Sequence, residues 1–173
     1  MGILRSLVKS IRSLRQRYTY SASGGFFSPT GSGVPVNETT ALKCEAVLAC
    51  VRIYSETLGY LPLELYEQQS NGDRRKYRED PLYHTLHEEW NPYMTAITAK
   101  EQMVISLYTW GNAYAEIVRD ISGTIRELYP LLPNAMQLRI REDGTIYYDY
   151  HSPTGSIVFE PRDILHIPMF SMD

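Results

Sequence analysis

The sequence has no G-x-x-x-x-G-K-[ST] loop, no G-x-S-x-G elbow, no H-E-x-x-H pair and no C-x-x-C pair. These absences remove the common signatures of phosphate-cradling, serine-nucleophile, zinc-hydrolase and thiol-redox chemistry. No apolar run approaches the roughly 20 residues that a membrane-spanning helix needs. Cysteine occurs twice, as Cys44 and Cys50. Six apart in a helical pattern, the two sit about 240° apart around the axis and cannot pair without breaking the helix. Buried thiols, kept reduced in a cytoplasm at the time of synthesis, are the expectation. Phenylalanine is scarce, with 4 residues against 14 tyrosines. Tyrosine buries ring area while its hydroxyl tolerates water, which suits a protein contact surface and a β-rich domain equally.

What is present is a chain of ordinary globular composition, 43% hydrophobic and 21% charged over 173 residues. That length suits one domain, or one domain and a tail. The net charge of −3 conceals an asymmetry, since residues 1–20 hold five basic side chains (Arg5, Lys9, Arg12, Arg15, Arg17) and no acidic ones. The remainder carries 12 basic against 20 acidic residues, a net −8. A fold of that sign argues against tight, sequence-independent DNA binding. In the tail, Ile3, Leu4, Leu7, Val8, Ile11 and Leu14 recur at helical spacing and predict a basic amphipathic helix over residues 1–20. The helix is expected to dock a partner or pack internally, with a membrane-surface role as the alternative. "MGILRS" also matches the myristoylation pattern through Gly2 and Ser6, a short and common match. Residues 21–37, "SASGGFFSPTGSGVPVN", read as a flexible linker in which Phe26 and Phe27 are candidate contacts. The folded domain is expected over 38–173.

Thr39 or Thr40 is placed to cap a helix running to Leu58, with Gly59 as its left-handed stop. Ala46 to Val51 are apolar nearly all round, which predicts that most of this helix is buried. Leu61, Leu63 and Leu65 share one face of an expected strand, and Asn71-Gly72 marks a two-residue hairpin. Asp80-Pro81 opens a short helix with Leu82, Tyr83, Leu86 and Trp90 on its apolar side. Thr95 or Thr98 starts the next helix, Thr98 and Glu101 offering a capping box. Gly111 ends it, and Asn112 is read as accepting the bend that follows. From there the period becomes two. Strands broken at Ser122-Gly123, Asp143-Gly144 and Ser152–Gly155 predict successive antiparallel hairpins. The class is therefore α+β: a basic N-terminal helix, three further helices and antiparallel hairpins.

Two clusters invite a chemical reading. His84 and His87 share a helix face, with Glu88 or Glu89 nearby, and a third ligand such as His151 or His166 would complete a metal site. A small metal-dependent enzyme is the alternative this supports; solvated surface histidines are the preferred reading. "RRKYR", with Arg74, Arg75, Lys76 and Arg78, is the one dense basic cluster of the folded part and the candidate partner contact. Glu79 and Asp80 follow directly, so an ordinary charged hairpin is preferred. "TGSG" at Thr30 to Gly33 lies in the linker and is not read as a phosphate loop. Gly111 and Asn112 are assigned structural roles, and no catalytic, cofactor or metal residue is assigned.

Five phrases resemble those of tailed-bacteriophage portal proteins of the siphophage type. "ALKCEAVLACVRIYSETLGYLPLELYE" is similar to the family's A-V-x-A-C-V-R-x-x-x-E-T-x-A-x-L-P-L opening, with Gly59 in place of the usual small residue. "DPLYHTLHEEWNPYMTA" resembles H-P-L-Y-x-L-L…P-N-P-x-M-T, with Asp80 at the His position. "GNAYAEIVRD", "LYPLLPNAMQLR" and "DILHIPMFSMD" follow in order, so the likeness runs from Ala41 to Asp173. The resemblance implies a structural, non-enzymatic subunit that needs no cofactor. Its partners would be other portal subunits in a ring, typically a dodecamer, and the major capsid protein, terminase and head–tail connector proteins. Double-stranded DNA would pass through the full ring at a capsid vertex of the virion, which assembles in the host bacterial cytoplasm. A third reading is a stand-alone adaptor acting through the basic helix. The family continues past this span into stem, clip, tunnel loop and crown, so the chain corresponds to the N-terminal wing region.

Overall fold

A computed structural model describes residues 37–153 and 155–169. The basic tail, the linker as far as Val36, and with them Gly2, Phe26 and Phe27, lie outside the described residues. The span expected as one domain comprises two compact units, Glu38–Pro133 with Arg162 onward, and Asn134–Pro161.

The larger unit begins with a one-turn helix α1 (Glu38–Ala41) and then α2 (Glu45–Tyr60). The single helix expected here is thus broken. Tight bonds from Lys43 N–H to Thr40 O and Cys44 N–H to Ala41 O close α1, and Cys44 becomes the N-cap of α2 without a side-chain hydrogen bond. At the other end α2 runs through Gly59 to Tyr60. Gly59 keeps an ordinary helical backbone, because the described glycines with positive φ do not include it. Its role is a close approach instead. A Cβ at Gly59 would fall 2.6 Å from Glu101 Cγ and 3.3 Å from the Ile97 carbonyl oxygen. The glycine lets α2 lie against α4 (Ala96–Trp110).

Leu61 and Leu63 are exposed and lie in no strand. Pro62 offers no N–H to a ladder there, and pairing begins later, between β1 (Tyr66–Gln68) and β2 (Arg74–Lys76). Asn71-Gly72 does turn this hairpin, through a loop of three residues, Ser70 to Gly72. Gln69 N–H bonds Asp73 O, and Gly72 N–H bonds Gln69 O. Helix α3 (Pro81–His87) starts as its sequence dictates: Asp80 caps it by accepting from Leu82 N–H, and Pro81 occupies the first turn. It stops at His87, one turn earlier than expected. Trp90 belongs to β3 (Glu89–Asn91), which pairs with β4 (Met94–Thr95) and buries the indole.

Thr95, not Thr98, caps α4, its hydroxyl accepting from Thr98 N–H at 3.3 Å. Gly111 ends α4 at φ 70°, with its N–H on Leu107 O. Then come β5 (Asn112–Arg119), β6 (Ile125–Leu131) and, late in the chain, β10 (Ile164–Pro168), antiparallel in the order β10-β5-β6. Along β5, Ala113, Ala115 and Ile117 take one face and Tyr114, Glu116 and Val118 the other. The alanine face and α4 share a core with Trp90, Ala96, Ala99, Met103 and Leu128. The small side chains of Ala96, Ala99, Ala113 and Ala115 allow close helix–sheet packing.

The smaller unit is a three-stranded antiparallel sheet of β7 (Met136–Ile140), β8 (Ile146–Ser152) and β9 (Gly155–Phe159), in that order. Register places Met136, Leu138, Tyr148, Tyr150, Ile157 and Phe159 on one face. On the other, Arg139 Nε meets Asp149 Oδ2 at 3.2 Å, and His151 Nδ1 lies 3.5 Å from Asp149 Oδ1. The observed class is α+β.

Candidate assembly interface

The two histidines of α3 do not gather ligands. His84 Nδ1 lies 3.1 Å from Glu88 Oε2, and the His87 ring stacks on Tyr83 with centroids 5.0 Å apart. Glu89 is the first residue of β3. Among the described residues, no group of three or more His, Cys, Asp or Glu side chains converges to hold a metal ion. His151 pairs with Asp149, and His166 lies on β10.

The basic cluster is matched in place. Between Glu64 and Glu79, four basic side chains stand among four acidic ones. Arg75 reaches Glu67 at 3.3 Å and Glu79 at 3.7 Å, and Lys76 Nζ lies 2.9 Å from Glu64 Oε1. That hydrogen bond holds the Glu64 carboxyl below its usual range and the Lys76 ammonium above its own. Arg78 sits over the Tyr83 ring at 5.9 Å, and Arg74 is paired in register with Gln68. The result is an exposed, charge-balanced hairpin, which is a poor cradle for a phosphate chain.

Gly111 and Asn112 divide their roles differently from the expectation. Gly111 alone takes the left-handed conformation, and no described residue other than glycine has positive φ. Asn112 is already in β5, and its amide oxygen reaches across to β10. An amide oxygen only accepts, so His166 Nε2 carries the proton in this 2.9 Å bond. The His166 ring also stacks on Tyr114, with centroids 4.5 Å apart. Burial lowers the His166 pKa, keeping the ring neutral. Glu116, two residues on from Tyr114, has its pKa raised by burial and by the neighbouring Asp163 carboxylate. This polar face of the sheet was missed in the sequence because its members lie 54 residues apart.

The largest departure concerns α2. Only Val51, Ser55 and Gly59 are buried, a stripe along the line of contact with α4. Val47, Leu48, Ile53, Tyr54, Leu58 and Tyr60 are exposed, and so are Cys44 and Cys50. The expectations of a buried helix and buried thiols are both corrected. The physical reason is that, among the described residues, α2 has one closely packed neighbour, α4, for an apolar surface that runs most of the way round. Tyr54 extends this surface onto α4 by stacking on Tyr108, with centroids 5.0 Å apart. Lys100 of α4 ties the far end, donating to the Leu61 carbonyl at 2.6 Å, where the negative end of the α2 dipole favours a cation. Burial lowers the Lys100 pKa. Among the described residues, no helix is long and apolar enough to cross a membrane. The described residues thus leave an apolar face of α2 open.

Comparison with known proteins gives the family. The chain is 30% identical over 136 residues to the portal protein of Enterobacteria phage HK97, covering 78% of this chain and 32% of that protein. It is 33% identical over 153 residues to a probable portal protein of Streptomyces phage phiC31, covering 79% of this chain and 31% of the relative. Protein BeeE of Escherichia coli (strain K12) is 31% identical over 112 residues, 65% of this chain and 70% of BeeE. The chain therefore spans about a third of the length of the two phage relatives. Among solved structures, the fold is similar to a chain in the neck of an empty gene transfer agent (GTA) particle. The TM-score is 0.66 at 21% identity, over 88% of this chain and 41% of that one. A chain of the native GTA virion is similar at TM-score 0.62 and 21% identity, over 80% and 37%. Residues 45–173 match the family described as phage portal protein, and the chain belongs to that family.

Proposed function

We propose that this chain is the wing-region part of a portal subunit, a structural piece of the ring at a capsid vertex through which double-stranded DNA is packaged and ejected. The family match over residues 45–173 carries the reading. The uncovered apolar surface of α2 supports it, since a ring subunit must offer one face to each neighbour. Its net −8 outside the tail suits a passage that DNA slides through without being gripped. The role is not catalytic and takes no cofactor. The partners are other portal subunits, with the major capsid protein, terminase and head–tail connectors reached by the assembled ring. Residues 1–20 serve as a basic docking helix on the linker of residues 21–37, and the hairpin with Arg74, Arg75, Lys76 and Arg78 is a secondary contact.

Electron microscopy and sedimentation of the complete product of the gene provide the test. Closed rings of about a dozen subunits are the expected result. A product that stays monomeric at all concentrations contradicts the proposal.

A further inference from the structure

The chain has five asparagines, and one of them, Asn71, precedes a glycine. An asparagine side-chain amide is open to attack by the backbone nitrogen of the next residue. Glycine, with no Cβ, crowds that approach least. Elsewhere the pairing is poor. Asn91 precedes Pro92, whose nitrogen carries no hydrogen, while Asn112 and Asn134 precede alanines and Asn37 a glutamate. Asn71 and Gly72 are both exposed, and a Cβ at Gly72 would meet nothing within 4 Å. Water and room are therefore at hand on this turn.

The same turn restrains the reaction. Gly72 N, the atom that must attack, donates its hydrogen to Gln69 O at 2.9 Å, and the residue is held at φ 88°. Both ends of the Asn71 amide are engaged by one neighbour. Its Oδ1 accepts from Asp73 N–H at 3.0 Å, and its Nδ2 donates to Asp73 Oδ2 at 2.8 Å. A ring cannot close from Gly72 N to Asn71 Cγ until these bonds are released. The turn joins β1 and β2, whose residues are all exposed, so little burial resists local opening.

We propose that Asn71 is a site of spontaneous deamidation, which the closed turn holds off and opening of the hairpin releases. Gly72 N bonds to Asn71 Cγ, the Cγ–Nδ2 bond breaks, and ammonia leaves with the proton taken from Gly72 N. Water then opens the cyclic imide, and no electrons are exchanged. Cleavage at Cγ leaves an aspartate in a normal backbone; cleavage at the main-chain carbonyl leaves an isoaspartate, with the backbone routed through Cγ. The first product keeps an oxygen for Asp73 N–H, as Asp143 does for Thr145 N–H at 2.8 Å in the matching turn from Glu142 to Gly144. It also replaces the bond to Asp73 Oδ2 by two facing carboxylates. The second lengthens the backbone between Gln69 and Asp73 and disturbs the pairing of Gln68 with Arg74. The inference does not depend on the ring reading.

The test is incubation of the complete gene product at mildly alkaline pH, folded or unfolded in urea. Peptide mass spectrometry follows the change from amide to acid at each asparagine. In urea, Asn71 should convert at least ~10-fold faster than Asn112 or Asn134, whose alanine neighbours crowd the attack. In the folded chain Asn71 should convert at least ~10-fold more slowly than in urea. Asp73→Ala is an exposed change expected to leave the melting temperature in place, and by freeing Nδ2 it should raise the folded rate ~3-fold or more. Asn71→Ser removes the amide and should show no conversion at that position. A rate at Asn71 in urea no higher than at Asn112 or Asn134 overturns the site. A folded rate equal to the unfolded one, or an Asp73→Ala rate equal to the wild type's, overturns the restraint by the turn.

Discussion

Helices α2 and α4 are nearly the same length, 16 and 15 residues, and both are rich in apolar side chains. They lie against each other, yet they end in different surroundings. Helix α4 has α2 on one side and the β5–β6 sheet with β3 on the other, and buries Ala96, Ala99, Met103, Val104 and Ser106. Among the described residues, helix α2 packs closely against α4 alone and buries three residues, two of them Ser55 and Gly59. An apolar pattern alone therefore does not say how much of a helix its packed neighbours cover. The sequence predicts that most of α2 is buried, and the described residues leave most of its apolar surface uncovered.

The contrast is broken most directly by placing one substitution in both helices. Ala99→Asp in α4 puts an unpaired carboxylate where accessibility is 0%, and should cost more than ~3 kcal/mol in denaturant unfolding. Ala49→Asp on the exposed side of α2 should cost less than ~0.5 kcal/mol by the same measurement. Equal losses would show that α2 is covered within the chain.

The seam between the helices is the next place to strain. Gly59→Leu forces a side chain into the Glu101 and Ile97 contacts, with an expected loss of about 1–3 kcal/mol. Gly59→Ala already brings a Cβ to 2.6 Å from Glu101 Cγ and 3.3 Å from the Ile97 carbonyl oxygen, so it should also destabilise, by about 1 kcal/mol or less once the gain in helix propensity is counted. Gly111→Val forces a β-branched residue into φ 70° and should cost about 1–2 kcal/mol, read as a lowered melting temperature. Nothing within 4 Å would meet the new Cβ, so that loss isolates backbone strain.

Titration gives the smallest effects, of opposite sign. His166 has a lowered pKa when folded, so its contribution is whole above the unfolded value near 6.5 and declines as pH falls towards the folded pKa. Glu116 has a raised one, so its burial favours folding at acid pH and opposes it as pH rises past 4.5 through the folded pKa. Glu116→Gln should therefore raise the melting temperature slightly at pH 7 and leave it unchanged near pH 4. A melting temperature unaffected by Glu116→Gln at pH 7 would place that carboxylate in water.

Local signals were legible wherever one residue type answers one backbone demand. Asp80-Pro81, Gly111 and the Asn71-Gly72, Ser122-Gly123 and Asp143-Gly144 turns all stand where their chemistry puts them. Gly59 was misread because a glycine near a helix end has two uses, a left-handed stop and a close approach, and only the neighbour at Glu101 decides between them. Trp90 was misread as helical because the strand that covers it, β6, is remote in sequence. The thiols of Cys44 and Cys50, and the face around Tyr54, were placed inside because an apolar pattern does not say how many neighbours a helix has. The portal phrases were legible for a different reason: order and spacing over more than a hundred residues outweigh any single substitution, Asp80 and Gly59 included.

The exposed Cys50 thiol, in the middle of the uncovered α2 arc, reports on the central claim without any engineering of that face. Its rate of modification by a small thiol reagent should be near that of a free cysteine in the dispersed chain and at least ~10-fold slower in the assembled particle. Unchanged reactivity on assembly would mean that no neighbour covers α2, and would contradict the account.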